Sequence, residues 1–306
     1  MFLRKMKRYN TLNDYLKKRF KGKIAKVCID GGFSCPNREN SKTGCLFCTE
    51  EGAGEFTGNR LKSITIQIEE QKRIITSKWK ADGYIAFFQN FTNTYAAEDT
   101  LRIKYEEALN CEGVVGLAIA TRPDCLNEGI MKLLSELNKR TFLWIELGFQ
   151  TSNENTSLLI NRGYENKIFE SAVNTLSELD ILTVVHLIAG LPGESKQDFM
   201  NSIKYISKFK IWGVKLHSLY IQSNSPMKKY HEIHQFNLLT LNTYIEYVCD
   251  ALEKLSPDMV VHRLTGDGKK ELLIGPVWSL NKLKVLSSID QEMIRRDSYQ
   301  GKYHQR

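Results

Sequence analysis

A chain of 306 residues with 42% hydrophobic and 10% aromatic content can build a full core, as one large α/β domain or two small ones. No apolar run reaches membrane-spanning length and the polar, basic start has no signal-peptide core, which argues against membrane and secreted classes and for the reducing cytoplasm. Lysine plus arginine exceed aspartate plus glutamate by 43 − 35 = 8, and much of that excess sits at the start.

Residues 1–23 carry Arg4, Lys5, Lys7, Arg8, Lys17, Lys18, Arg19, Lys21 and Lys23 against Asp14 alone, with Phe2, Tyr9, Tyr15 and Phe20 interleaved. Such a segment suits a phosphate backbone, and a solvated basic helix fits it equally well. Thr11 caps a short helix over 11–20. Ile24 to Ile29 is a first strand, ending at Asp30-Gly31-Gly32. A charged helix spans 60–80. Strands follow at 83–88, 114–120, 142–147, 182–189 and 213–219, alternating with helices at 98–109, 126–138, 165–179 and 196–208. The strands are short, nearly continuous apolar runs, the pattern of a parallel sheet buried on both faces. Right-handed crossovers curl such a sheet into a barrel or leave it open and doubly wound. No Gly-x-Gly-x-x-Gly follows the first strand, which disfavours a dinucleotide fold. From 226 the rhythm stops. A helix (239–255), a strand through Val260-Val261-His262-Arg263-Leu264, a Gly-rich turn and a helical tail are expected to close over the barrel mouth. The division is a basic segment 1–22, a core 23–225 and a C-terminal extension 226–306.

The loop after the first strand holds Cys35, Cys45 and Cys48, spaced Cys-x9-Cys-x2-Cys. Converging thiolates bind a metal or an iron–sulfur cluster. A structural zinc wants four closed ligands, whereas a four-iron cluster on three cysteines leaves one iron open. On the loop alone both stand. The other cysteines, Cys28, Cys111, Cys125 and Cys249, lack ligand spacing and read as packed thiols. Polar residues bunch just past the strand ends, at Gln89-Asn90, Thr121 to Asp124, Gln150-Thr151, Gly190 to Gly193 and Gln222. In parallel α/β folds that edge binds ligands. The cysteine loop shares it, which favours the cluster.

GGFSCPNR, ATRPDCL, WIELGFQT, INRG and HLIAGLPGE, in that order, resemble the radical SAM superfamily, in the family grouping the Elongator catalytic subunit with YhcC-type proteins. HRLTGDG, LLIGPVWSLNK and the ending SYQGK resemble its YtqA-type branch, also called MnmL, which modifies the wobble uridine of tRNA. The resemblance implies an α/β fold, a partial (βα)6 TIM-like barrel, with a [4Fe-4S] cluster on Cys35, Cys45 and Cys48 and S-adenosylmethionine (SAM) as cofactors. Phe47 would lie near the adenine, with Ile188 at the adenine-binding strand end. Gln150 and Arg162 would hold the methionyl group, and Thr92 or Asn93 the amine. Acetyl transfer, the work of a further domain in Elongator, is not implied. Implied partners are tRNA and an electron donor such as flavodoxin or ferredoxin. The implied reaction takes 5-carboxymethylaminomethyl-(2-thio)uridine to 5-aminomethyl-(2-thio)uridine.

Candidate substrate contacts are His186, Lys215, His217, His262, Arg263 and Asp267, with Arg263 or Lys215 suited to a substrate carboxylate. For any single histidine a satisfied core or rim position fits as well. Two other functions compete: a radical SAM enzyme acting on a protein or small metabolite, and a non-catalytic zinc-stabilised RNA-binding protein.

Overall fold

The computed structural model describes residues 7–41, 44–52, 57–266 and 268–304. Seven parallel strands lie in one sheet, in spatial order β1 (Ile24–Ile29), β2 (Gly83–Phe88), β3 (Val114–Thr121), β4 (Phe142–Gln150), β5 (Leu182–Ala189), β6 (Gly213–Ser218) and, after the short β7 (Ile221–Gln222), β8 (Val260–Arg263). β7 pairs antiparallel with β9 (Leu273–Gly275) beyond the end of β6. The sheet curls into a partial barrel.

Alternation along the strands builds two cores. Ala25, Val27 and Ile29 of β1, Ala86 and Phe88 of β2, and Leu143, Ile145 and Leu147 of β4 face outward. The helices α3 (Ile64–Thr76), α4 (Glu98–Leu109), α5 (Glu128–Asn138), α7 (Asn166–Glu178) and α8 (Lys196–Ile206) cover them. Near the strand starts the inward residues are apolar, and Ile85, Phe87, Ala118, Phe142, Trp144, Val184 and Val260 form a second cluster. Farther along, the inward positions are Lys26, Glu146, His186 and Lys215, and these set up the site. Side-chain oxygens fix several helix starts: Asn127 accepts from Ile130 N, and Ser195 forms a reciprocal capping box with Asp198.

The basic helix does not lie where a nucleic acid entering the barrel would meet it. Thr11 caps α1 (Leu12–Phe20) as expected. However, Leu12 and Leu16 of α1 plug the strand-start end of the barrel, and Tyr15 stacks on Phe142 and meets Trp212 edge-on. The cysteine loop is at the other end, about 20 Å away by strand length.

The C-terminal region also differs from the expectation. Instead of only closing over the mouth, it supplies a seventh strand: β8 pairs parallel with β6, with Lys215 opposite Arg263. α10 (Leu241–Lys254) packs beside α8 and α11 (Lys282–Arg295) on the outside. Tyr244 of α10 donates to Leu216 O and Leu264 O, tying it to the sheet. At the mouth stand the chain after β6, with α9 (Pro226–His234), and the turn 264–266. The outer edge of β8 is covered by the chain start, where Val261 N bonds Asn10 O at 2.7 Å. Two single-turn helices, α2 (Pro36–Ser41) and α6 (Glu154–Leu159), sit in loops at the mouth.

Candidate cofactor and active site

The loop from β1 to α3 is held from three sides. Asn161 donates to Gly44 O at 2.7 Å, Leu46 N bonds Ile160 O, and Met227 N bonds Leu46 O. Gly44 turns there with φ 72°, and a β-carbon would lie 2.9 Å from the Arg38 side chain, so glycine is needed. Arg38 itself donates to the Thr49 and Glu50 carbonyls. These bonds place Cys35, Cys45 and Cys48 on the wall of a cavity of about 250 Å³.

The thiols are unlike one another. A hydrogen bond from Cys48 works against burial and, with Arg122, Asn37 and Arg38, brings Cys45 down to about 7. Asn37 Nδ2 lies 3.3 Å from Cys45 Sγ. Donating to Cys45, together with burial, pushes Cys48 well up. Arg122, forked on Asp124 at 2.7 and 2.9 Å, is the nearby cation that favours a thiolate here. Among the described residues no three Cys, His, Asp or Glu side chains are grouped around one ion. A closed zinc set is therefore not formed there, while three thiols on one cavity wall beside a cation fit a cluster that takes one thiolate on each of three irons.

β4 ends in a strained turn. Gln150 has φ 65°, left-handed for a non-glycine residue, and the register with β5 slips between Gly148 and Gln150. Arg162 holds this turn. Its Nη1 donates to Phe149 O (3.0 Å) and Thr151 O (2.8 Å), the carbonyls on either side of Gln150. Its other N–H groups go to Tyr164 O and Asn166 Oδ1. With five N–H groups placed in this way and no exposure, the side chain has no fork left for a carboxylate. Arg162 thus holds the turn that carries Gln150, with its Nη2 also 3.5 Å from Glu154 Oε2, rather than offering a free fork to the cavity.

Below the thiols lies a charged floor. Glu146 is fully buried and accepts from Trp144 Nε1 (2.9 Å), His186 Nε2 (2.8 Å) and Lys215 Nζ. Burial would raise its carboxyl, but Lys215, His186 and Lys26 outweigh it and hold Glu146 well below the usual range. Burial also drives Lys215 down to about 7 and His186 to about 4, and keeps His217 and His262 well below the usual imidazole range. At neutral pH the three histidines are therefore uncharged.

Of the sequence-derived candidates, Phe47, Thr92, Gln150, Arg162, Ile188, His186, Lys215, His217 and Arg263 line the same cavity as the three cysteines. Two do not. Asn93 is buried behind the wall, donating to the Phe88, Asn90 and Ala120 carbonyls, so of the proposed pair only Thr92 reaches the cavity. His262 is sealed between the Trp144 and Trp212 rings, 5.6 and 4.8 Å away, with neither ring nitrogen hydrogen-bonded and Nδ1 4.0 Å from Glu146 Oε1. That places it in the buried layer beneath the cavity, outside the cavity's described lining. Asp267 lies outside the described residues. Sequence reasoning missed Glu146, and named Arg122 only within the polar stretch from Thr121 to Asp124. The signal for Glu146 was present, a single carboxylate in the middle of the apolar run FLWIELGFQ.

A parallel partial barrel with three thiols and a strained polar turn around one cavity at its strand-end mouth is the architecture of a radical enzyme. A family model described as "Radical SAM superfamily" matches residues 34–206, and its C-terminal domain model matches 211–295. The chain belongs to the radical SAM superfamily, and its cofactors are a [4Fe-4S] cluster and SAM. It is 45% identical over 302 residues to uncharacterized protein YtqA of Bacillus subtilis, covering 98% of this chain and 94% of that protein. It is 30% identical to YhcC of Escherichia coli, covering 92% and 91%. The solved structure of Elp3 from the archaeon Methanocaldococcus infernus superposes with a TM-score of 0.68 at 16% identity, covering 90% of this chain and 64% of that one, which shows the fold. Among the described residues no helix is long and apolar enough to cross a membrane.

Proposed function

We propose that this radical SAM enzyme acts on the wobble uridine of tRNA, converting a 5-carboxymethylaminomethyl group to 5-aminomethyl. Cys35, Cys45 and Cys48 hold the cluster. Phe47 and Ile188 flank the adenine, and Thr92 and Gln150 supply polar contacts to the SAM head. When bound, the cluster and SAM supply a 5′-deoxyadenosyl radical that takes a hydrogen atom from the substrate. The residues of this chain seat the substrate and exclude water from the radical, because the strand-start end is plugged. On the substrate, loss of a hydrogen atom from the carbon between the amine and the carboxylate, transfer of a second electron to a one-electron carrier such as a flavodoxin or ferredoxin, and hydrolysis of the resulting iminium by water release the two-carbon oxoacid and leave the aminomethyl group.

The observation that carries this reading is the charge of the cavity. Its described lining holds Arg38, Lys215 and Arg263, besides Arg122 and Arg162 whose N–H groups are engaged on Asp124 and on the turn after β4, against one carboxylate, Glu146. A substrate arm ending in a carboxylate suits such a chamber. At the mouth Arg38 and Arg60 both lie against the Phe91 ring, at 5.3 and 5.2 Å. Cations interleaved with an aromatic face are a fit for nucleotides. The plugged position of α1 favours a second reading, a small carboxylate metabolite, because the basic helix is turned away from the mouth.

The deciding experiment is nucleoside mass spectrometry after an anaerobic reaction of reconstituted protein, SAM, reductant and tRNA carrying the carboxymethylaminomethyl group. The expected result is loss of that nucleoside, gain of the aminomethyl form and formation of 5′-deoxyadenosine. 5′-Deoxyadenosine with unchanged tRNA discards the tRNA reading and leaves the metabolite.

A further inference from the structure

We propose that Glu194 is a positioning residue: through Thr151 it pins the turn after β4 to the turn after β5, and so sets the shape of the SAM pocket. The inference rests on the reading of Gln150 as a contact to the SAM head and is independent of the substrate.

Thr151 and Glu194 end the stretches WIELGFQT and HLIAGLPGE. Gln150 and Ile188 of those stretches line the cavity, but Thr151 and Glu194 are not in its described lining. They meet behind the wall, where a hydrogen bond joins Thr151 Oγ1 and Glu194 Oε1. The bond lies just past the register slip between β4 and β5. Hydroxyls carry it further. Thr151 Oγ1 accepts from Asn153 N at 3.0 Å and lies 3.3 Å from Ser202 Oγ of α8. Ser202 Oγ accepts from Ser152 N at 2.8 Å and lies 3.1 Å from Ser152 Oγ. Arg162 thus grips the carbonyls around Gln150 from one side, and Glu194 with Ser202 grips the next residues from the other.

Counting protons gives the state of the carboxyl. Each hydroxyl has one hydrogen to donate. With a proton on Oε1, Glu194 donates to Thr151, Thr151 to Ser202 and Ser202 to Ser152, so every link has one donor and one acceptor. The other oxygen, Oε2, is buried without a hydrogen bond. A neutral acid tolerates that, whereas a carboxylate would hold buried charge there with no donor.

Besides Thr151, the groups facing the carboxyl are Thr156 of α6 and Asp198 of α8, and the charged one of them is itself an anion. Across the turn, Arg162 and Glu154 face each other at 3.5 Å. Burial accordingly pushes the Glu194 carboxyl up to about 7. Once ionised, it draws in water and loosens its hold on Thr151. SAM binding then weakens as pH rises above about 7.

The test is equilibrium dialysis of SAM against the cluster-loaded protein, from about pH 6 to about pH 8.5. The wild-type dissociation constant is expected to stay level up to about pH 7 and to rise about tenfold by the upper limit. Glu194→Gln, which stays neutral, should keep the low-pH affinity within about twofold and flatten the rise. Glu194→Ala, which cannot hold Thr151, should bind about tenfold more weakly at low pH as well. Lys215 is common to all three proteins and cancels in the comparison, and cluster absorbance checks that each variant is folded. An equal rise in wild type and Glu194→Gln, no rise in wild type, or a Glu194→Gln protein as weak at low pH as Glu194→Ala overturns the pin. Infrared spectra read the wild type alone: a carboxylic-acid band present at about pH 6 and gone at about pH 8.5 is expected, and its absence at the lower pH overturns the acid form. Gln150→Ala checks the contact separately. Unchanged affinity there, beside a wild-type rise that Glu194→Gln flattens, supports the pin and removes only the Gln150 contact.

Discussion

His262 shows how far a residue's role depends on its layer in the barrel. It sits in the apolar layer with both ring nitrogens unbonded, and burial holds its imidazole well below the usual range. His186 and His217 share that direction. Between their folded values and the ordinary histidine value near 6.5, the unfolded chain binds protons that the folded one does not. Stability therefore rises with pH across that window and is lost as pH falls through it. His262→Leu removes one such group and an unsatisfied buried dipole, and should stabilise the fold by about 1 kcal/mol at neutral pH. The loss of thermal midpoint between about pH 7 and pH 5 should also shrink. A variant that is less stable at both pH values would mean that the ring has a partner worth keeping. The three cysteines were legible because ligand spacing is a local property of a loop. Glu146 was not singled out, because its meaning comes from His186 and Lys215, 40 and 69 positions away. Arg162 illustrates the converse. Its neighbourhood in sequence suggested a ligand, yet five backbone and side-chain bonds fixed by the turn after β4 make it a clamp.

At the scale of elements, the strand–helix rhythm was readable because each strand is buried on both faces and so carries a continuous apolar run. The direction in which α1 turns its charges was not. An amphipathic basic helix reads the same whether its apolar stripe plugs a barrel or lies on a surface, and only Leu12, Leu16 and Tyr15 against Phe142 and Trp212 settle it. This has a direct consequence for RNA binding. The exposed Lys18, Lys21 and Lys23 lie a strand length from the mouth, beyond the roughly 8 Å over which exposed charges act at physiological salt. The triple change Lys18→Glu, Lys21→Glu, Lys23→Glu should leave the tRNA dissociation constant within about twofold, while Arg60→Ala at the mouth should lower the salt slope by about one. A large loss in the triple variant would place the RNA path along the plugged end instead. Short α6 and α9 escaped the sequence reading. ENTSLL is a single turn, and Pro226, which here starts a helix, reads as a break.

At the scale of the molecule, the ends of the chain close the sheet. Residues around Asn10 run along β8, Gln300 accepts from Asn10 N at 2.9 Å, and Arg8 pairs with Asp297. A chain shortened to begin at Leu12 would leave the β8 edge unpaired. It should melt lower and self-associate, as read by light scattering, and a monomer of unchanged midpoint would show that this cover is dispensable. The seventh strand was hidden in sequence because pairing is non-local; VVHRL was visible as a strand but not as a neighbour of β6. The plug at the strand-start end also dictates traffic. With the strand-start end sealed, the mouth that a macromolecular substrate would cover is also a route by which SAM enters. On such a substrate, turnover is expected to be ordered, with the small cosubstrate loading before the large one docks.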